Sequence, residues 1–306
     1  MITEWQLKQR QGLPLEAKII LSQKKIIEFY EHFQGSVYIS FSGGKDSTVL
    51  LDLVRSIYPK VPAVFVDTGL EYPEIKEFVK TIDNVIWLKP DMPFTQVITK
   101  YGYPVASKKI AGMIRVIQNP TKNNKASQKL YLEGVKKDGS KGKYKLPKKW
   151  KKLIKSGFKV SDRCCHIMKK KPFKKYEKEH KRYGIIGTMA CDSEQRKLGY
   201  LISGCNTLEG KKKSRPMSFW LTKDVWQYIK GKGLSYCDVY KNSHVDNTGC
   251  MFCMFGVHLE KSPNRFQAMK LTHPKLWDYC INKLGCGKVL DFIGVRYIPD
   301  AITYQI

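Results

Sequence analysis

The chain has 306 residues, 42% of them hydrophobic, and a formal net charge of +28 from 55 Lys and Arg against 27 Asp and Glu. That length and apolar content can fill a sizeable core and exclude a disordered chain, and no run approaches the roughly 18 apolar residues of a membrane span. The N-terminal Met1-Ile2-Thr3-Glu4-Trp5 lacks the charged-then-apolar layout of an export signal, so a soluble, cytoplasmic protein with no membrane partner is expected.

In chain order, residues 1–35 read as helix, with apolar positions at helical intervals from Leu15 through Tyr30. Ser36 to Phe41 reads as a short strand, followed by a Gly-Gly turn and an apolar helix from Thr48 to Val54. Ala63-Val64-Phe65-Val66 predicts a second strand, Pro73 to Val79 a helix, and Val85-Ile86-Trp87-Leu88 a third strand. From 108 to 182 lysines crowd the chain, which predicts a basic helical insertion with a mobile loop around 136–145. Tyr183 to Thr188 predicts a further strand, and Asp224 to Ile229 a helix with Thr222 as its N-cap. Alternating strands and helices of these lengths predict an α/β fold with a doubly wound, mainly parallel sheet. Four segments are expected: 1–35, helical; 36–107 with 183–248, nucleotide-binding; 108–182, the insertion; and 249–306, a cysteine-bearing, helical C-terminal region.

The strand, Gly-Gly turn and helix carry Ser42-Gly43-Gly44-Lys45-Asp46-Ser47. Glycine lets the backbone bend so that several N–H groups converge on an anion, and the helix N-terminus adds positive potential. Lys45 can place a charge on a phosphate, and Ser40, Ser42, Ser47 and Thr48 offer hydroxyls. Asp46 near a phosphate would either cap the helix or recruit magnesium. The four-residue spacing of a Walker loop is missing, which disfavours γ-phosphoryl transfer. The hexapeptide resembles the pyrophosphate loop of the N-type ATP pyrophosphatases, which implies cleavage of ATP between its α- and β-phosphates.

Nine cysteines are an odd count in a chain without an export signal, so they read as thiols or metal ligands rather than a disulfide framework. Cys164-Cys165 and the later Cys250-Met251-Phe252-Cys253 could supply four sulfurs to one centre. Spacing alone favours zinc, but adjacent cysteines diverge and are awkward ligands for one tetrahedral ion. A tandem Cys-Cys with a distant CxxC is similar to the [4Fe-4S] signature of adenylyl-sulfate reductases, members of the phosphoadenylyl-sulfate reductase family with an adenine nucleotide alpha hydrolase-like fold. Cys164-Cys165-His166-Ile167-Met168-Lys169 resembles that family's Cys-Cys-x-x-x-Lys stretch, which implies that Lys169 lies near cluster and substrate. Asp67-Thr68-Gly69 with Tyr72-Pro73-Glu74 resembles its second-strand motif, and Pro216, Trp220 and Asp224-Val225-Trp226 match a later stretch. The likeness runs from about residue 36 to 258. Cys191, Cys205, Cys237, Cys280 and Cys286 read as core or incidental.

Three departures point from sulfonucleotide towards ATP. The family's attacking cysteine in Glu-Cys-Gly-x-His has no match, Cys286 in Gly285-Cys286-Gly287 being the nearest substitute. Met189 stands where the reductases show an arginine for the anionic substrate, and the loop keeps the full pyrophosphatase form. The expectation is therefore an ATP pyrophosphatase with Lys45, Asp46 and Lys169 as catalytic residues. Ser40, Ser42, Gly43, Gly44, Lys45, Asp46, Ser47, Asp67, Thr68, Gly69, Ser193 and Arg196 would bind ATP or another adenine nucleotide, with magnesium. Cys164, Cys165, Cys250 and Cys253 would hold a [4Fe-4S] cluster, zinc being the alternative. Such an enzyme would adenylate an acceptor for sulfur transfer. The alternatives are a reductase of adenylyl or phosphoadenylyl sulfate that releases sulfite, and a non-catalytic nucleic-acid-binding protein with a nucleotide switch. The positive charge predicts a nucleic-acid partner, with Trp150, Phe158 and Tyr176 for base stacking and Lys169-Lys170-Lys171 as a phosphate track, against a merely lysine-rich surface. Arg196 either binds phosphate with Ser193 or pairs with a neighbouring carboxylate. His258 is a metal-neighbour or surface residue. The sulfur donor or thiol reductant, and assembly as a homo-oligomer, stay open.

Overall fold

A computed structural model describes residues 2–241 and 248–299. The chain runs α1 (Glu4–Gly12), α2 (Leu15–His32), β1 (Val37–Ser40), α3 (Lys45–Arg55), β2 (Ala63–Val66), α4 (Pro73–Lys80), β3 (Val85–Leu88) and α5 (Phe94–Tyr101). It continues with β4 (Val105–Ala106), α6 (Lys108–Gln118), α7 (Lys125–Glu133), α8 (Lys171–His180), β5 (Tyr183–Ile186), α9 (Glu194–Ser203), β6 (Asn206–Thr207) and β7 (Lys213–Ser214). The last elements are α10 (Thr222–Lys232), β8 (Met254–Phe255), α11 (Arg265–Thr272), α12 (Pro274–Asp278) and α13 (Cys286–Ile293). Among the described residues, no helix is long and apolar enough to cross a membrane.

Two compact units divide these elements. The first comprises Met1–Asp67, Tyr72–Lys89 and Pro172–Asn242, and the second Thr68–Glu71, Pro90–Lys171 and Ser243–Ile306. The expected N-terminal segment 1–35 thus belongs with the sheet. Residues 90–107 group with most of the basic insertion and the C-terminal region, whereas 172–182 group with the sheet.

The first unit is built on a six-stranded sheet ordered β3-β2-β1-β5-β7-β6, parallel except where β6 runs against β7. Strands β1 and β2 are buried almost throughout, as interior parallel strands covered on both faces must be, which explains their unbroken apolar runs. Ile39 pairs with Ala63 on one side and Ile185 on the other. Strand order reverses between β1 and β5, so the carboxyl ends of these two strands flank a switch point, where open α/β sheets bind ligands. Helix α3 follows β1 and buries Val49, Leu50, Leu51, Leu53 and Val54.

A fully buried ion pair, Lys18 to Asp224 at 2.6 Å, joins α2 to α10. The same Asp224 carboxylate accepts the Leu221 N–H at 2.7 Å, so Asp224 caps α10 from inside, whereas the expected cap, Thr222, is already helical. Tyr176 is buried with Tyr38 and Val64 under α8, so it is a core residue and not a stacking platform.

In the second unit β4 and β8 form a two-stranded parallel sheet, Val105 opposite Met254 and Ala106 opposite Phe255. Trp150 and Leu153 are buried and anchor a 3-10 helix, Lys148–Lys155, against α6. Phe158 is half-buried against Tyr103 and Phe292, so none of the three proposed stacking aromatics is presented openly to a base. Within the expected loop at 136–145, Lys141 bridges antiparallel to Val135.

Candidate active site

The loop after β1 is shaped by one glycine and three hydroxyls. Gly43 has φ +70, and a Cβ there would lie 2.8 Å from Val79 and 2.9 Å from Ile75, so both conformation and space demand glycine. Gly44, by contrast, is extended at φ −82 and acts as the N-cap of α3. Ser47 Oγ donates to the Gly44 carbonyl at 2.8 Å and Thr48 Oγ1 to the same oxygen at 3.1 Å. Ser42 N–H donates to Ser47 Oγ at 3.2 Å, and the two serine hydroxyls lie 3.1 Å apart. Ser47 and Thr48, expected to reach for phosphate, brace the turn; Ser42 is exposed, and Ser40 is the last residue of the interior strand β1.

Lys45 is buried, with Nζ 3.6 Å from Asp46 Oδ1. Asp46 Oδ1 is buried and has no hydrogen-bond partner among the described residues. Burial raises the Asp46 pKa, Lys45 opposes that, and the nearby Asp192 adds to it. An unsatisfied buried carboxylate oxygen beside a second carboxylate fits magnesium, which takes one or two protein carboxylates and fills its remaining sites from phosphate and water. Among the described residues, no three His, Cys, Asp or Glu side chains converge to hold an ion by themselves. The Lys45 N–H, which points along the N-terminus of α3, donates at 3.1 Å to the hydroxyl of Tyr240, and the Lys45 ammonium lies 5.5 Å from that ring's centre. Tyr240 was missed in the sequence because 195 residues separate it from its partner and no local pattern marks it.

After β5, Gly187 must be small: a Cβ would lie 3.0 Å from the Asp46 carbonyl. Ser193 caps α9 by accepting the Arg196 N–H at 3.3 Å, and Arg196 pairs with Asp192. Of the two expectations for Arg196, the carboxylate pair is the one present; its charge still reaches Asp46. Met189 is buried. At the end of β2, Asp67 pairs with Lys76 at 2.7 Å.

In the second unit, Thr68 and Gly69 form a turn organised by Glu71, another residue the sequence reading missed. The Glu71 carboxylate accepts from Thr68 N at 3.0 Å and Thr68 Oγ1 at 2.7 Å. Gly69 has φ +73. The same unit holds all four predicted metal cysteines. Cys164 and Cys165 open a helical stretch that passes through a π-helical turn, His166–Lys170, into α8. The Cys250–Cys253 turn is fixed by Cys253 N–H to Cys250 O at 3.1 Å, by Met251 N–H to Leu70 O at 2.9 Å, and by Arg265 donating to Cys253 O at 3.1 Å. Burial pushes the Cys164 thiol up, and Cys250, Cys165 and Cys253 push it further, so the four sulfurs lie within electrostatic reach of one another. Cys250 is pushed up to about 11 by burial, against the pull of Lys169. Burial works against the Lys169 charge, but its hydrogen bond to Cys250 and the Glu71 carboxylate more than offset this and hold the ammonium. Cys164 is buried and Cys165, Cys250 and Cys253 are half-buried. Thiols attended by a cation are the ligand type of soft metal centres, although among the described residues no three of these side chains converge on one point. His258 lies edge-on to Trp150, its pKa lowered by burial and then by Lys149.

A different arrangement surrounds Cys286. It is fully buried at the start of α13 and shares a hydrogen bond with Cys280, which pushes the Cys280 thiol far up. Cys205 and Cys237 are buried as expected, but Cys191 is exposed.

The model of the phosphoadenosine phosphosulfate reductase domain matches residues 36–152 and 108–255, which together span most of the chain. The chain belongs to the phosphoadenosine phosphosulfate reductase family. Within and around that family, it is 24% identical over 283 residues to an uncharacterised protein of Methanocaldococcus jannaschii, covering 88% of this chain but 53% of that one. It is 25% identical over 224 residues to the adenosine 5'-phosphosulfate reductase of Staphylococcus epidermidis, covering 73% of this chain and 72% of that one. The phosphoadenylyl-sulfate reductase of Candida auris, a solved structure, aligns with a TM-score of 0.43 and 12% identity over 82% of this chain and 96% of that one. The chain thus spans about half the length of the archaeal relative.

Proposed function

We propose that this family member is an ATP pyrophosphatase that adenylates an acceptor for sulfur transfer. The loop carries the reading: Gly43 bends it, Lys45 N–H heads the N-terminus of α3, and the buried Lys45 and half-buried Asp46 stand beside it at the switch point of the sheet. In such a reaction the acceptor oxygen bonds to the α-phosphorus of ATP and the α–β bridging bond breaks. Pyrophosphate leaves onto groups that favour negative charge in a fixed arrangement. Asp46, with Asp192 nearby, would hold magnesium, which neutralises the phosphates. A sulfur nucleophile then displaces AMP from the acceptor.

The four cysteines would hold a [4Fe-4S] cluster, which when bound supplies a site that carries or positions sulfur. A cubane takes each thiolate on a different iron, so its ligands need not converge on one point, whereas zinc requires four donors at about 2.0–2.3 Å from one centre. What supports the former is the likeness of Cys164-Cys165 with Cys250 and Cys253 to the reductases' cluster signature. Lys169 keeps a positive charge beside Cys250 and would steady thiolate ligands there.

The second reading, a sulfonucleotide reductase, is favoured by the likeness to the Staphylococcus epidermidis enzyme. Against it stand Met189, where a sulfate-binding arginine would serve, and Cys286, which is fully buried and hydrogen-bonded to Cys280. Anaerobic purification with iron and sulfide analysis, followed by incubation with ATP, should give iron-loaded protein that releases pyrophosphate once an acceptor is present. Sulfite released from adenylyl sulfate with thioredoxin, and no pyrophosphate from ATP, would establish the reductase instead.

A further inference from the structure

Between residues 108 and 171 the chain carries 21 Lys and Arg against three Asp and Glu, a surplus of 18 out of the net +28. The remaining charge is spread over nearly four-fifths of the chain. Sixteen lysines between 108 and 159 are exposed, and among the described residues none of them forms an ion pair. Among the described residues, the ion pairs of the 108–171 stretch are Arg115 with Asp162 at 2.7 Å and Lys171 with Asp91 at 2.6 Å. A solvated face usually interleaves both signs. Here, among the described residues, no carboxylate pairs with any of these sixteen lysines.

These lysines sit on a built support. Trp150 and Leu153 plug the 3-10 helix Lys148–Lys155 into the unit and leave Lys148, Lys149, Lys151, Lys152 and Lys155 exposed. Gln118 clamps the segment: its amide donates to Leu153 O and Phe158 O, both at 3.1 Å, and its oxygen accepts Val160 N–H at 2.9 Å. Lys149 lies 5.1 Å from the Trp150 ring centre and Lys152 5.4 Å from that of Phe292, which restrains both side chains.

The chemistry of this face selects its ligand. Single-strand binders stack bases on open aromatics, and membrane-surface helices insert apolar side chains. From 108 to 159 the one large hydrophobic that is strongly exposed among the described residues is Tyr144, and Lys109 lies 4.7 Å from its ring centre. What remains is a lysine array suited to phosphates at regular spacing, without base contacts. We propose that residues 108–159 form a docking surface for the phosphate backbone of double-stranded nucleic acid. The inference names the acceptor class of the adenylation reading and rests on that reading only for turnover, because binding is measured separately.

The test uses the full chain and a fluorescent duplex of about 20 base pairs, titrated at about 50 and 200 mM salt. If about five phosphates are engaged, affinity should fall roughly 10²–10³-fold over that range. Replacing Lys148, Lys149, Lys151, Lys152 and Lys155 by Gln should weaken binding at least tenfold and flatten the salt slope. The five Lys→Arg replacements should restore both, which separates lost charge from lost fold. A control that replaces the exposed Lys8, Lys24, Lys60, Lys230 and Lys232 of the first unit by Gln should lose less than threefold. Equal losses in the two Gln sets would overturn the proposal, as would tighter binding to a single strand of the same length or to phosphatidylserine vesicles. Pyrophosphate release from ATP, scored in parallel, would fail by itself if the adenylation reading were wrong.

Discussion

The phosphate loop and the cysteine nest are both built from polar groups withdrawn from water, and they are prepared for their ligands in opposite ways. In the loop several donors already have acceptors: Ser47 and Thr48 brace Gly44, and the Lys45 N–H rests on the Tyr240 hydroxyl. In the nest burial, and then the neighbouring thiols, push Cys164, Cys250 and Cys253 up, and Lys169 relieves only part of that. The loop is therefore a finished cradle that needs little reorganisation, whereas the nest gains its full stability only when something replaces the thiol protons. Asp46 differs within the loop: its buried Oδ1 has only the Lys45 ammonium at 3.6 Å and no hydrogen-bond partner among the described residues, so a further cation would be gained there.

Breaking the nest should have the largest effect. Cys164→Ser and Cys250→Ser should each abolish the iron and sulfide content and the visible absorbance of anaerobically purified protein, and should lower its melting temperature. Stoichiometric zinc in the wild type, with little iron, would show that the nest serves a compact ion instead. The loop predicts a separate loss. Lys45→Met should weaken binding of pyrophosphate by about 10–100-fold, the range for losing a hydrogen bond to a charged group at about 1.5–3 kcal/mol. Calorimetry with pyrophosphate would measure that loss, and an iron assay on the same preparation should find the iron content untouched.

Lys169→Met sharpens the contrast, because it should leave the ligands in place and change only how readily they ionise. Burial raises Cys250 to about 11, and Lys169 pulls the other way. Without the cation the thiol needs a still higher pH to lose its proton, so the pH midpoint for reconstitution with iron and sulfide should move upward, by about one unit. An unchanged midpoint would mean that the ammonium does not act on the sulfurs.

Legibility in the sequence followed the range of the interaction. Strands β1, β2 and β5 were readable because an interior parallel strand is apolar on both faces, β3 because its run Val85-Ile86-Trp87-Leu88 is apolar although it lies at the sheet's edge, and the hexapeptide because glycine and lysine in that context are local requirements. Residues defined by distant partners were not readable. Tyr240 reaches Lys45 across 195 positions, and Asp224 caps its own helix while pairing with Lys18, across 206. Glu71 adjoins a recognised stretch but shows its purpose only once the Thr68 turn closes on it. The aromatics near the lysines were misread because a tryptophan among lysines looks equally like a stacking platform and a buried anchor, and only the packing of Leu153 beside Trp150 decides.

Tyr240 gives the smallest expected effect and the finest test of the finished loop. Its hydroxyl occupies the Lys45 N–H that a phosphate oxygen would take, so binding must first exchange one acceptor for the other. Tyr240→Phe removes the competitor and keeps the ring near the Lys45 ammonium and Trp226. Pyrophosphate should then bind more tightly by about 2–10-fold, since a net hydrogen bond contributes about 0.5–1.5 kcal/mol. Weaker binding would show that the hydroxyl contacts the ligand directly, and the loop would then resemble the nest in being incomplete until it is filled.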